Sequence, residues 1–197
     1  MKIQLQFFGA AEEVTGSLYV LRTARHTLML ECGLLQGGGN AEDRNREPFP
    51  IELDEIDAMV LSHAHIDHSG RIPLLVKRGY RGPVYAQHAT RALCQIMLPD
   101  SGYLNEKDAE WENRKRAERR EAPIEPLYTR EDAEACIGQF DSIGYDEPKE
   151  ILPGIWLRFY DAGHILGSSI VRSGVSMVTI PGRWSSAETS ATGMRRS

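Results

Sequence analysis

Six consecutive residues, His63-Ala64-His65-Ile66-Asp67-His68, contain three imidazoles and a carboxylate. The chain has six His in all, and half of them fall in this run. His and Asp are seldom buried without partners, so such density is a poor device for packing. It suits a site that holds two metal ions side by side. The apolar Ala58-Met59-Val60-Leu61 reads as a short buried strand leading into the run and ending at Ser62. In extended geometry His63 and His65 project to one side and can chelate one ion together. Asp67 and His68 follow on a turn announced by Ser69-Gly70 and can reach a second ion. Imidazole nitrogen and carboxylate oxygen suit zinc, with manganese or iron as alternatives. Two such ions about 3.5–4 Å apart generate a nucleophile at neutral pH and stabilise charge on a phosphoryl or carbonyl oxygen.

A second element lies about a hundred residues on. Trp156-Leu157-Arg158-Phe159-Tyr160 alternates like a strand and ends in Asp161-Ala162-Gly163-His164-Ile165-Leu166-Gly167-Ser168. Gly on both sides of His164 lets the backbone approach an ion closely. His164 then supplies a third imidazole to the first ion and leaves one position for water, the open arrangement of catalytic sites.

These pieces together resemble the metallo-β-lactamase fold, an αββα sandwich of the α/β class. Further motifs narrow the likeness. Phe8-Gly9-Ala10-Ala11-Glu12-Glu13-Val14-Thr15-Gly16-Ser17, Glu31-Cys32-Gly33-Leu34-Leu35-Gln36-Gly37, His68-Ser69-Gly70-Arg71-Ile72-Pro73 and the segment Ala162 to Ser169 are similar to the β-CASP group of RNA-processing nucleases. That group includes the cleavage-and-polyadenylation endonuclease and its bacterial relatives. The likeness runs from about residue 2 to residue 171. It implies a zinc-dependent ribonuclease that hydrolyses phosphodiester bonds of RNA. His63, His65 and His164 hold one zinc in that reading, Asp67 and His68 the other, and Asp67 also orients or deprotonates the attacking water. Other hydrolases of the same fold, such as glyoxalase-II-like thioesterases and lactonases, are the alternative, but the Gly9–Ser17 opening argues against them. An iron oxidoreductase of this fold carries Glu where this chain has His65. A non-catalytic fragment or binding partner is the reading from a different class.

The chain departs from the family pattern in places. Glu31 stands where the family usually has Asp, a longer carboxylate for a supporting role behind the ligands. Gln87-His88-Ala89-Thr90 replaces the usual Thr-Pro-Ala-Thr, which makes His88 a helix-start residue rather than a ligand. The family continues into a strand with a bridging Gly-Asp, an RNA-clamping insert and a last His, and beyond Val171 this sequence has no Asp. The expectation is therefore one well-held zinc, a weaker second site and impaired activity, in a chain divided into 1–171, the amino-terminal part of the domain, and 172–197, an atypical tail.

Composition is that of a globular domain, with 41% hydrophobic and 26% charged residues. No segment approaches 18 consecutive apolar residues, and the amino terminus lacks a signal-peptide core. Three widely spaced Cys (32, 94, 136) read as reduced thiols, and the expected location is cytoplasmic. A homo-oligomer is compatible with the sequence, but no pattern in it specifies one. Net charge is −5. Residues 172–197 carry four Arg and one Glu, which leaves −8 for residues 1–171, an unhelpful sign for binding RNA. Strands are expected over 2–7, 17–22, 27–31, 58–61, 83–86 and 155–160, with helices over 71–78 and 89–98. A separate solvated, salt-bridged helix is expected near 105–121, and a further helix capped by Thr129.

Residues 172–197 have six Ser, three Thr and no Leu or Phe. Re-read one base out of frame with permitted synonymous codons, Arg183 to Ala191 yields Val-Val-Phe-Ser-Gly-Asp-Leu-Gly, the family's absent strand and bridging Asp. A frame break between about Val171 and Met177 is therefore expected. Sequencing the DNA checks it: the shifted frame encodes Gly-Asp-Leu-Gly, and any other reading there removes the idea.

Overall fold

Alternation with a period of two sorts the strand residues between two cores. In the computed structural model, which describes residues 3–176 and 186–190, Val20, Met29, Met59, Leu61, Val84, Ala86 and Phe140 face one cluster. Their neighbours Leu21, Leu28, Ala58, Val60, Tyr85 and Ile143 face the other. The strands concerned are β1 (Gln4–Gly9), β2 (Leu18–Arg22), β3 (Thr27–Leu30), β4 (Ala58–Val60), β5 (Val84–Gln87) and β6 (Phe140–Ile143). They form one six-stranded sheet in sequence order. The pairs β1–β2 and β2–β3 are antiparallel, and β3–β4, β4–β5 and β5–β6 are parallel.

Parallel neighbours need crossover connections, and helices supply them. They are α1 (Ala41–Arg46), α2 (Ile66–Ser69), α3 (Ile72–Lys77), α4 (His88–Glu118) and α5 (Arg130–Cys136). Ile72, Leu75, Cys94, Leu98, Ala133 and Cys136 bring α3, α4 and α5 onto the first core. The second core is closed by a four-stranded antiparallel sheet of β7 (Lys149–Leu152), β8 (Ile155–Asp161), β9 (Ser169–Ser176) and β10 (Ser186–Ser190). Ile151, Ile155, Leu157 and Phe159 supply its inner face. The described residues thus form three layers, helices on sheet on sheet, the first three of the four expected. No helix among them is long and apolar enough to cross a membrane.

The expected strands and the Thr129-capped helix are present. The expected helices 89–98 and 105–121 are instead one helix, α4, of 31 residues with Pro99 inside it. Proline removes one helical hydrogen bond, which makes a break the natural expectation. Tertiary contacts hold the helix through it. Leu98 and Pro99 are buried. Tyr128 Oη sits 2.8 Å from Ser101 Oγ, and the Asn113 side chain accepts from Ile124 N at 2.7 Å and donates to Ile124 O at 2.8 Å. Cys94 and Leu98 thus anchor α4 on the first core before Pro99, and the returning segment holds it after Pro99. The elements α1, β6, β7 and β9 went unread because each is short or polar; β6 is Phe-Asp-Ser-Ile. β9 runs across position 172 and pairs with β8 from Ser169 to Val175. Part of the re-read stretch, 183–185 and Ala191, lies outside the described residues.

Helix α5 begins with a capping box. Thr129 Oγ1 accepts from Asp132 N at 3.1 Å, and Asp132 Oδ2 accepts from Thr129 N at 2.9 Å. Lys77 Nζ adds an ion pair to Asp132 at 2.9 Å. Burial opposes the Asp132 charge, but the Thr129 and Lys77 contacts outweigh it and hold the carboxyl below its ordinary range. A depressed folded-state pKa contributes stability above the unfolded value and loses it as pH falls through the folded one. Thr129→Ala is expected to cost about 1 kcal/mol. The stability gap between wild type and Asp132→Asn should be flat from pH 5 to 8 and shrink below about pH 4. Urea titrations across pH measure both.

Candidate metal centre

Every element that carries a candidate ligand enters from the carboxyl end of a strand. Strand β3 ends at Leu30 and delivers Glu31, whose N–H donates to Val60 O at 3.0 Å. Strand β4 delivers Ser62 and His63, and β8 delivers the loop carrying His164. Backbone hydrogen bonds then lace the segment 31–34 to the turn 66–71. Cys32 N donates to His68 O, Leu34 N to Ile66 O and Arg71 N to Cys32 O, at 2.8, 2.9 and 2.8 Å. Ser17 N donates to Asp67 O at 2.9 Å and Gly33 N to Ser17 O at 2.8 Å. The approach is so close that a Cβ on Gly33 would sit 1.6 Å from Asp67 O. Ser69 Oγ closes the turn from beneath by donating toward Ala64 O at 2.9 Å.

The result holds three imidazoles together. His65 Nδ1 lies 3.1 Å from His63 Nε2 and 3.2 Å from His164 Nε2. One ring nitrogen from each of His63, His65 and His164 lies within 4.8 Å of the others. A tetrahedral zinc with Zn–N bonds of about 2.0–2.1 Å separates its ligand atoms by about 3.3–3.4 Å, so the donor set fits such an ion. Ser62 Oγ sits 2.8 Å from His63 Nδ1, which leaves Nε2 to face the centre. His63 is buried, His65 partly exposed and His164 exposed, which gives the centre an open side.

Asp67 and His68 lie beside this cluster. The His68 ring centroid is 4.0 Å from that of His63, and His68 Nε2 is 3.6 Å from Asp67 Oδ2. Behind them is Glu31, 6% exposed and in the left-handed region at φ 61°. Its Oε1 accepts from Ser62 N at 3.1 Å, and its Oε2 faces His68 Nδ1 at 3.4 Å. Burial opposes a charge on His68, but Glu31 and Asp67 outweigh it and raise its pKa. His63 moves the other way. Burial first, then the neighbouring His68, His65 and His164, pushes it down to about 3, so at neutral pH its lone pair is free. The ring His88 starts α4 and is exposed, as the sequence led us to expect.

The His164 loop is clamped by residues whose part was not read from sequence. Ser168 Oγ accepts from His164 N and Ile165 N, both at 3.1 Å. Tyr145 Oη donates to Ser168 O at 2.9 Å, and Thr90 Oγ1 donates to Gly167 O at 2.7 Å. Gly167 has φ 80°, and a Cβ there would meet Thr90 N at 2.4 Å. The partners Tyr145 and Thr90 are distant in sequence, and nothing local marks them.

A model of the metallo-beta-lactamase superfamily domain matches residues 20–179. The chain belongs to the metallo-beta-lactamase superfamily. This superfamily chain is 40% identical over 164 residues to ribonuclease TTHA0252 of Thermus thermophilus, covering 83% of this chain and 33% of that protein. It is 32% identical over 173 residues to transcription termination factor FttA of Methanosarcina mazei, covering 85% and 24%. It is 31% identical over 171 residues to cleavage and polyadenylation specificity factor 73 of Drosophila melanogaster, covering 85% and 22%. These relatives are the β-CASP proteins that the opening motifs resemble. The chain spans between 22% and 33% of their length. Among solved structures, a metallo-beta-lactamase from Cronobacter sakazakii aligns with 82% of this chain and 54% of its own, at 19% identity and a TM-score of 0.48.

Gly33→Ala is expected to cost about 3 kcal/mol or more, because the atoms a Cβ meets are backbone and cannot swing aside. Gly38→Ala, where a Cβ meets nothing within 4 Å, should stay within about 0.5 kcal/mol of wild type. Urea unfolding of the two variants makes the comparison.

Proposed function

We propose that this chain forms the metal-binding part of a zinc-dependent ribonuclease that hydrolyses phosphodiester bonds in RNA processing or decay. The observation that carries the reading is the convergence of His164 on His63 and His65 across 99 positions of sequence, with Asp67 and His68 alongside. The printed names of the relatives, a ribonuclease and a cleavage factor among them, support the substrate class. Three buried free thiols, pushed up to about 12 by burial, support a reducing compartment such as the cytoplasm.

In this reading His63, His65 and His164 hold one zinc, and Asp67 and His68 offer donors to a second. Zinc supplies Lewis acidity toward a phosphoryl oxygen and acidifies water. The protein's own share is positioning and proton handling. Ser62 and Glu31 fix the rings of His63 and His68. Asp67 Oδ2 takes the proton of the attacking water and orients it along the open side. His63 stays neutral and so costs no proton on loading. Three nitrogens against two donors make the first ion the tighter one. We also propose that residues 172–197 form a segment distinct from 1–171 and arising from the frame break described above.

Metal analysis and RNA cleavage on the purified full chain test the reading. Zinc should load one equivalent tightly and a second weakly. His164→Ala should lose the tight equivalent, and Glu31→Gln should weaken zinc binding about 10–100-fold. A zinc-loaded chain that cleaves a thioester or nitrocefin but not RNA would replace the ribonuclease with another hydrolase. A chain that binds no zinc would remove the metal reading altogether.

A further inference from the structure

Helix α4 buries one side and exposes large apolar groups on the other. Leu98, Gly102 and Ala109 lie on its buried side. At 100° per residue their mean direction is about 160°, taking Trp111 as zero. The opposite line, near 330–340°, is the outward one. Along it lie Ile96, Tyr103, Leu104 and Trp111, which are 71%, 46%, 54% and 56% exposed. Asp100 and Lys107 share the line, and Asp100 is exposed while the Lys107 side chain is 48% exposed. Four large apolar side chains in about four turns are more than a solvated helix face requires.

The order of these residues reads the same from both ends. Pairing positions about a point between Tyr103 and Leu104 sets Ile96 opposite Trp111, Asp100 opposite Lys107 and Tyr103 opposite Leu104. Any two positions paired about that point straddle one line of the helix or its opposite, and these three pairs straddle it on the outward side, at about 330°. A surface that is complementary to itself about a point, with apolar facing apolar and acid facing base, is the requirement for a two-fold contact between identical chains. The alternative, a track for single-stranded RNA, needs a positive face. Here Lys107, Arg114 and Lys115 are offset by Asp100, Asp108, Glu110 and Glu118 on the same side. Lys107 is also held by Glu110 at 2.8 Å, and Lys115 lies 3.0 Å from the Trp111 ring centroid.

We propose that the outward face of α4 is a homodimer interface, in which two α4 helices pack antiparallel about a two-fold axis between Tyr103 and Leu104. Asp100 of one copy then meets Lys107 of the other, twice per dimer. Two helix faces of this length make a contact at the small end of specific interfaces, so the dimer dissociates on dilution.

Sedimentation velocity of the full chain over a concentration series tests this, with circular dichroism confirming that each variant keeps its helix content. The expected result is a monomer–dimer equilibrium. Leu104→Glu and Trp111→Glu should each raise the dissociation constant at least about tenfold. Asp100→Lys alone and Lys107→Asp alone should each weaken the dimer, and the double exchange should restore it, because only the antiparallel register brings these two positions together. A monomer at every concentration overturns the proposal. So does a dimer that the α4 variants leave unchanged, or a double exchange that is no better than the single ones. A monomer whose RNA binding is lost on Trp111→Glu would assign the face to nucleic acid instead.

Discussion

The contact on which the centre depends is between two stretches of backbone. The segment 31–34 runs against the turn 66–71 with hydrogen bonds from Cys32, Leu34 and Arg71, and Ser17 locks onto Asp67 between them. Side chains on a surface turn lose conformational freedom slowly and imperfectly. Backbone bonds on both sides of Ile66–Ser69 leave this turn one geometry, and Gly33 is what lets the two chains come that close. The imidazoles inherit their positions from that lacing, so the candidate donor set is preorganised by backbone atoms outside it.

Charge is arranged with the same economy. Four imidazoles in ring contact could not all be cations, and the site resolves this by treating them unequally. His63, buried and surrounded by other rings, gives up its proton far below neutral pH. His68 keeps its own more readily because Glu31 and Asp67 stand on either side. A buried carboxylate behind one ring and a serine hydroxyl behind another thus set which nitrogen faces the centre. The residual openness lies on the His164 side, where the loop is clamped from Thr90 and Tyr145 rather than covered.

Much of this was legible in the residue order. The run His63–His68 and the Gly-flanked His164 mark a candidate metal site because no packing role accounts for three imidazoles and a carboxylate in six residues. The apolar run Ala58–Leu61 is equally plain as a strand, since a strand covered on both faces needs apolar residues on each. What escaped were elements whose own residues carry little signal. Strand β6, Phe-Asp-Ser-Ile, is a strand because β5 offers it a parallel edge. Helix α4 continues through Pro99 because Cys94 and Leu98 pack on the first core before it, while Tyr128 and Ile124 return to hold Ser101 and Asn113 after it.

The sequence by itself determined the chemistry: which donor atoms are present, that they suit a zinc-like ion, and that the chain is a member of the metallo-beta-lactamase superfamily. Only the tertiary structure decided their distances and their charges. It brought His164 across 99 positions to within 3.2 Å of His65, set Glu31 behind His68, and turned Ile96, Tyr103, Leu104 and Trp111 of α4 outward while Cys94 and Leu98 of the same helix face the core. The reason is physical. Donor identity is a property of single residues, whereas distance and burial are properties of pairs that meet only when the strands, helices and loops between them have packed.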